Sequence, residues 1–189
     1  MKRSSIIMIL AALVMVAVWS SCKKSEKDVQ APLPDAETIT TVQLKAVNVA
    51  DSTDTVNAKW VQLVPSNPQS VDTSHAYLRL KKNASYTVNV YFLDETKTPA
   101  DDITTEVRER ANYHLVCFTP ASGLNLTVNA TDHDTHTPAL PVGLTNLATT
   151  TGASAGNLNV TLHHQPDLKT GDCSLGSADA NVNFSVTIY

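Results

Sequence analysis

"SYTVNVYFL", residues 85 to 93, alternates without a break: Tyr86, Val88, Val90 and Phe92 fall on one parity, and Ser85, Thr87, Asn89, Tyr91 and Leu93 on the other. Successive side chains of a strand point to opposite faces, so this stretch reads as a β-strand with one parity turned into a core. The rhythm recurs in Ile39 to Val49, Ala58 to Val64, Ala76 to Leu80, Tyr113 to Phe118, Leu124 to Ala130, Val142 to Thr149, Leu158 to His164 and Val182 to Tyr189. Gly, Pro, Asn, Asp and Ser separate the runs. Together they predict an all-β chain, an antiparallel two-sheet Ig-like sandwich. Aromatics make up only 5% of the residues while Val, Thr, Asn, Leu and Ala dominate, and the weight of β-branched Val and Thr points the same way.

One segment departs from period two. Thr98-Pro99-Ala100-Asp101 has the form of an N-cap followed by proline at the first helical position, and Ala100, Ile103, Val107 and Ala111 recur at helical spacing. A single short helix from about Pro99 to Asn112 is expected across one end of the sandwich.

The chain opens MKRSSIIMILAALVMVAVWSSC, with Lys2 and Arg3 ahead of an apolar run from Ile6 to Trp19 and small residues up to Cys22. The run is shorter than the roughly 20 apolar residues of a spanning helix, which is the layout of an export signal. Residues 1–21 are therefore read as a lipoprotein signal peptide, because Ser20-Ser21-Cys22 resembles a bacterial lipobox. That resemblance implies lipidation at Cys22, which becomes the first mature residue and holds the protein on a membrane by its acyl chains. Residues 22–37 are charged and contain prolines with few large apolar side chains, as expected of a flexible tether. Residues 38–189 are left for the β-sandwich domain.

The signal removes two basic residues and no acid, so the net charge of −4 becomes more negative in the mature chain. An acidic chain without a basic stripe is not built for nucleic acid. Beyond Cys22 only Cys117 and Cys173 remain. In an exported, oxidising compartment they can form a disulfide, or stand as one buried and one exposed thiol; spacing alone leaves both readings open.

Candidate chemistry concentrates in "NATDHDTHTP", residues 129 to 138. Tyr113–Phe118 and Leu124–Ala130 flank a loop of hairpin length, and so do Val142–Thr149 and Leu158–His164; two antiparallel hairpins are expected. They would gather His114, Asp132, Asp134, His136 and His164 at one pole, with His114, Asp132, Asp134 and His164 as the candidate site. Imidazoles with carboxylates suit a divalent metal such as zinc, or a small polar ligand. The competing reading makes the aspartates Asx-turn residues and the histidines structural. His114 and His164 cap the core if Val116 and Leu162 face inward; the other register buries Leu115 and Cys117 instead. Nothing resembles a nucleophile elbow, an H-E-x-x-H metal helix, a phosphate loop or a dinucleotide fingerprint, so an enzyme is not expected.

Asp101-Asp102-Ile103-Thr104, His114, Asp132-x-Asp134, Pro141-Val142-Gly143-Leu144, Thr150-Thr151-Gly152-Ala153-Ser154 and Leu162-His163-His164-Gln165-Pro166 resemble an uncharacterised family of Bacteroidetes lipoproteins with a D-x-D loop and an L-x-H-x-P strand end. Its members are often labelled as a type 1 periplasmic-binding fold, an α/β architecture with which the period-two runs disagree. The resemblance implies a cell-envelope protein, lipid-anchored at the outer membrane and periplasmic or surface-exposed. Its two histidines fall on His114 and His164, and its acidic pair on Asp132 and Asp134.

The expected function is that of a membrane-anchored extracytoplasmic lipoprotein that binds a metal ion or small polar ligand. It would serve an uptake system, with an outer-membrane receptor or transporter as partner. The alternative is a structural or adhesive Ig-like module that recognises glycan or protein through its sheet face or loops.

Overall fold

The computed structural model describes residues 38–189; the expected signal peptide, the expected lipidation at Cys22 and the expected tether lie outside the described residues. Eleven strands run in the order β1 (Thr41–Asn48), β2 (Thr55–Gln62), β3 (Val71–His75), β4 (Tyr77–Leu80), β5 (Ser85–Asp94), β6 (Asp101–Asp102), β7 (His114–Pro120), β8 (Leu126–Ala130), β9 (Thr145–Thr150), β10 (Ser154–His164) and β11 (Ser177–Ile188). The helix α1 (Ile103–Glu109) and a 3-10 turn (Ala111–Tyr113) lie between β6 and β7. One sheet has the order β3-β2-β1-β5-β9-β8, with β6 added to β5; the other has the order β4-β11-β10-β7. The architecture is an all-β two-sheet sandwich with one short helix.

The even residues of the opening stretch do face the core. Tyr86, Val88, Val90 and Phe92 meet Val42, Leu44 and Ala46 from β1 on the inner face of the larger sheet, and all are buried. Leu158, Val160 and Leu162 of β10 with Val182, Phe184, Val186 and Ile188 of β11 form the opposing inner face. Side chains of this size contribute about 1.5 to 3 kcal/mol each when fully removed from water, so two such faces stacked together account for the sandwich.

Not every pairing is antiparallel. The chain crosses from β3 in the larger sheet to β4 in the smaller one through the buried Ala76 alone, and β4 then runs parallel to β11. Ser185 N–H donates to the Ala76 carbonyl at 2.9 Å, which continues the pairing into the crossing residue. One side of the sandwich is thereby closed by a continuous extended segment.

Both expected hairpins are corrected. β7 pairs with β10 in the smaller sheet, while β8 pairs with β9 in the larger one. The turn after β7 carries the chain across the sandwich: Ala121 N–H donates to Asn157 O, and Leu124 N–H to Ala121 O. The turn after β9 crosses back beside it, joined by Asn125 Nδ2 donating to Gly152 O at 3.1 Å and Asn125 N–H donating to Ser154 Oγ at 2.9 Å. Loop length permits either a hairpin or such an arch. Strands that each carry an apolar face can bury it across the core as well as side by side.

The helix is also shorter than its sequence signal. Asp101 and Asp102 first pair with Asp94 and Leu93 of β5, and Asp102, not Thr98, caps α1 by accepting from Thr104 N–H at 3.1 Å. Ile103, Thr104 and Val107 form its buried side. Thr104 Oγ1 accepts from Phe92 N–H at 2.9 Å, so the helix is locked to β5 at its first turn. No helix among the described residues is long and apolar enough to cross a membrane.

Candidate functional site

His114 and His164 are direct cross-strand partners of β7 and β10. Val116 and Leu162 face the core, so the two imidazoles share the inward parity and cap the core at one pole. Their ring centroids lie 5.0 Å apart with the planes 16° from parallel. The other face of β7 is buried too. Cys117 bonds to Cys173 with an S–S distance of 2.02 Å and a Cα separation of 6.0 Å, drawing the segment after β10 over Leu115 and Cys117.

His114 is 2% exposed. Its Nδ1 lies 3.1 Å from the Arg110 carbonyl, which can only accept, so the proton sits on Nδ1 and Nε2 carries the lone pair. Burial pushes the His114 pKa down to about 4, with the His164 ring beside it acting in the same direction and the Arg110 carbonyl opposing. His163 Nδ1 and His164 Nε2 are enclosed without a hydrogen-bond partner, as is Oε1 of the fully buried Gln165. Pairing of β10 with β11 shifts between Leu162 and His163, where Asp179 is the extra residue. Burial raises the Asp179 carboxyl, while His164 and His163 act in the opposite direction.

The aspartates of the D-x-D segment serve the backbone. Asp132 accepts from Gly143 N–H at 2.8 Å through one oxygen and from Leu144 N–H at 3.0 Å through the other. Asp134 is more heavily engaged. Its Oδ1 accepts from the N–H groups of His136 and Leu140 at 3.0 and 2.9 Å, and its Oδ2 meets His136 Nδ1 and Lys169 Nζ, each at 2.8 Å. Burial alone would raise the Asp134 carboxyl, but the Lys169 ammonium, the Leu140 N–H and His136 hold it far below the ordinary range. Lys169 also donates to Ala111 O at 2.8 Å, so this buried cation joins the 3-10 turn, the D-x-D loop and the segment after β10.

Of the four sequence-predicted residues, His114 and His164 therefore meet, while Asp132 binds the backbone at Gly143 and Leu144 and Asp134 binds its own loop and Lys169. Among the described residues, no three His, Cys, Asp or Glu side chains are grouped so as to hold a metal ion. Lys169 was not anticipated. A lysine in a polar connection has no local periodicity to mark it as buried.

A second cluster occupies the outer face of the larger sheet. Odd-numbered residues of β1, β2 and β5 point there, and Gln43, Lys45, Asn57, Tyr91 and Leu93, with Asp102 of β6, line a hollow of about 370 Å³. Gln43 is opposite Tyr91 and Lys45 is opposite Asn57 in the strand register. The side chains of Gln43, Lys45, Asn57 and Tyr91 make no hydrogen bond or ion pair among the described residues. Alternation marks these residues as outward-facing, but which of them are neighbours depends on strand order.

Comparison with protein-family models, with curated proteins and with solved structures returned no match. The class of protein is thus defined by the fold and the two side-chain clusters alone.

Proposed function

We propose that this chain is a lipid-anchored extracytoplasmic adhesive module of the Ig-like sandwich type, which recognises its ligand, a glycan or a protein surface, through the outer face of the larger sheet. The observation that carries this reading is the hollow in which Gln43, Lys45, Asn57 and Tyr91 present hydrogen-bonding groups that nothing else in the described domain uses. The sheet backbone beneath these side chains is fixed by its pairing, so binding has to order only the side chains themselves. The signal-like start and Cys22 support an envelope location, and the resemblance to Bacteroidetes lipoproteins agrees with it. Cell-surface or vesicle retention of the full-length protein tests the anchor, and Cys22→Ser should release it. Adhesion of the purified full-length chain to isolated envelope material tests the face. It should drop at least tenfold in Tyr91→Ala with the melting temperature unchanged; undiminished adhesion would sink the reading.

The pole supports a second reading, binding of a divalent ion such as zinc or of a small polar ligand. The enclosed, unpartnered His164 Nε2 beside His114 favours it. Asp132 and Asp134 would have to release the backbone groups and Lys169 to join. A zinc-dependent rise in melting temperature, abolished in His164→Ala, is the result that would move the site from the face to the pole.

A further inference from the structure

Resting on the sheet-face reading, we infer that the ligand is a glycan chain of at least two sugar units, laid across β5, β1 and β2 with Asn57 at its centre.

Extent comes first. The hollow lined by Gln43, Lys45, Asn57, Tyr91, Leu93 and Asp102 adjoins another of about 420 Å³, lined by Asn57, Ala58, Lys59, Val61, Asp72 and His75. Asn57 belongs to both. Two hollows that share one lining residue fit a ligand made of linked units rather than a single small molecule or an ion.

Chemistry selects the units. Gln43 and Asn57 each offer an amide that donates and accepts, which matches the paired donors and acceptors of vicinal hydroxyl groups. Tyr91 adds a phenol whose ring provides an apolar plane and whose hydroxyl can bond, and Leu93 lies two residues along the same face. Lys45 contributes an ammonium free of ion pairs among the described residues. The carboxylates of the region are each engaged through at least one oxygen. Asp102 accepts from Thr104 N–H and Thr105 Oγ1 as the helix cap, and Asp72 Oδ1 accepts from Ser74 N–H.

A protein partner would call for a different surface. Interface cores are depleted of charge and rich in large apolar and aromatic side chains. Here Thr87, Asn89, Thr145, Thr149, Thr127 and Asn129 continue the outer face in register, with Leu147, 39% exposed, among them, so the face beyond the hollow is mostly polar. The neighbouring Lys59 is not part of the free set, because Glu95 binds it at 2.8 Å and also accepts from Thr41 Oγ1 at 2.8 Å. That bridge crosses β1 and fixes the rim of the site.

The test is titration of the full-length chain in detergent, by calorimetry and saturation-transfer NMR, against neutral and uronate oligosaccharides of one to six units. A chain of two or more units should bind at least tenfold more tightly than its monosaccharide. Tyr91→Ala and Asn57→Ala should each weaken that binding at least tenfold, while Asn129→Ala, on the same face outside both hollows, should leave it unchanged. Equal affinity for monosaccharide and chain, or insensitivity to Asn57→Ala, would overturn the inference. If no oligosaccharide binds while Tyr91→Ala still abolishes envelope adhesion, the ligand class is wrong and the sheet-face reading stands. If adhesion is also indifferent to Tyr91→Ala, both fall.

Discussion

His114 and His164 stack at 5.0 Å as paired residues of neighbouring strands, one of them held by the Arg110 carbonyl and sealed from solvent. An imidazole in this position must remain neutral. That requirement couples the pole of the sandwich to pH.

For His114 the folded pKa of about 4 lies below the unfolded value of 6.5. The unfolded chain therefore binds the proton first as pH falls. Its stabilising contribution is complete above pH 6.5 and is lost progressively down to about pH 4, by something on the order of 3 kcal/mol. Asp134, depressed in the folded state, adds a further loss below its ordinary value of 3.8. Urea denaturation from pH 7.5 to 4 should show this slope. His114→Leu should flatten it by about one proton.

The Asp134–Lys169 pair is enclosed on both sides, so removing one partner strands a charge. Lys169→Met should cost about 3 to 5 kcal/mol in denaturant unfolding. Asp134→Asn/Lys169→Met, which removes both charges and keeps an oxygen for the Leu140 and His136 N–H groups, should recover part of that loss. A double-mutant loss equal to the sum of the losses of Lys169→Met and Asp134→Asn measured singly would show that the pair is not coupled.

Gly123 and Gly143 share a φ of +84°, yet their surroundings differ. A Cβ at Gly123 meets nothing within 4 Å, whereas one at Gly143 would run into the Val116 carbonyl oxygen. Gly123→Ala should therefore cost about 1 to 2 kcal/mol for the left-handed backbone alone. Gly143→Ala should cost clearly more, because the D-x-D loop must also move away from β7. Equal losses would mean that this close approach carries no stability.

The Cys117–Cys173 bond closes a separation of 56 residues. Cys117→Ala/Cys173→Ala should lower stability by about 4 kcal/mol, by the usual loop-entropy scale. The same shift should appear in the wild type after reduction. A melting temperature indifferent to reductant would contradict it.

Much of the strand content was legible because alternation is local. The runs beginning at Ile39, Ser85, Leu158 and Val182 became β1, β5, β10 and β11, each burying its more apolar parity. β3 was not legible: VDTSH has no apolar alternation, and it forms at the sheet margin through pairing with β2. Residues 101 and 102 likewise became strand where helix was expected, because β5 had an edge to offer them.

The meeting of the two histidines shows where local information ends. Hairpins and arches both reverse the chain, so either form returns the strand ends to a common pole. For that reason His114 and His164 come together although neither expected hairpin exists. Which strands then lie side by side is decided by the packing of the two sheets, and it is this that pairs β7 with β10.

The sequence by itself determined that the described chain is built of strands and which parity of most runs is buried, since both follow from the two-residue repeat of the extended backbone. Only the tertiary structure decided that Asp132 and Asp134 serve backbone amides and a buried lysine, and that Gln43, Lys45, Asn57 and Tyr91 surround one hollow. Those relationships depend on strand order and on loops folding over sheets, and long-range contacts of this kind leave no periodic trace along the chain.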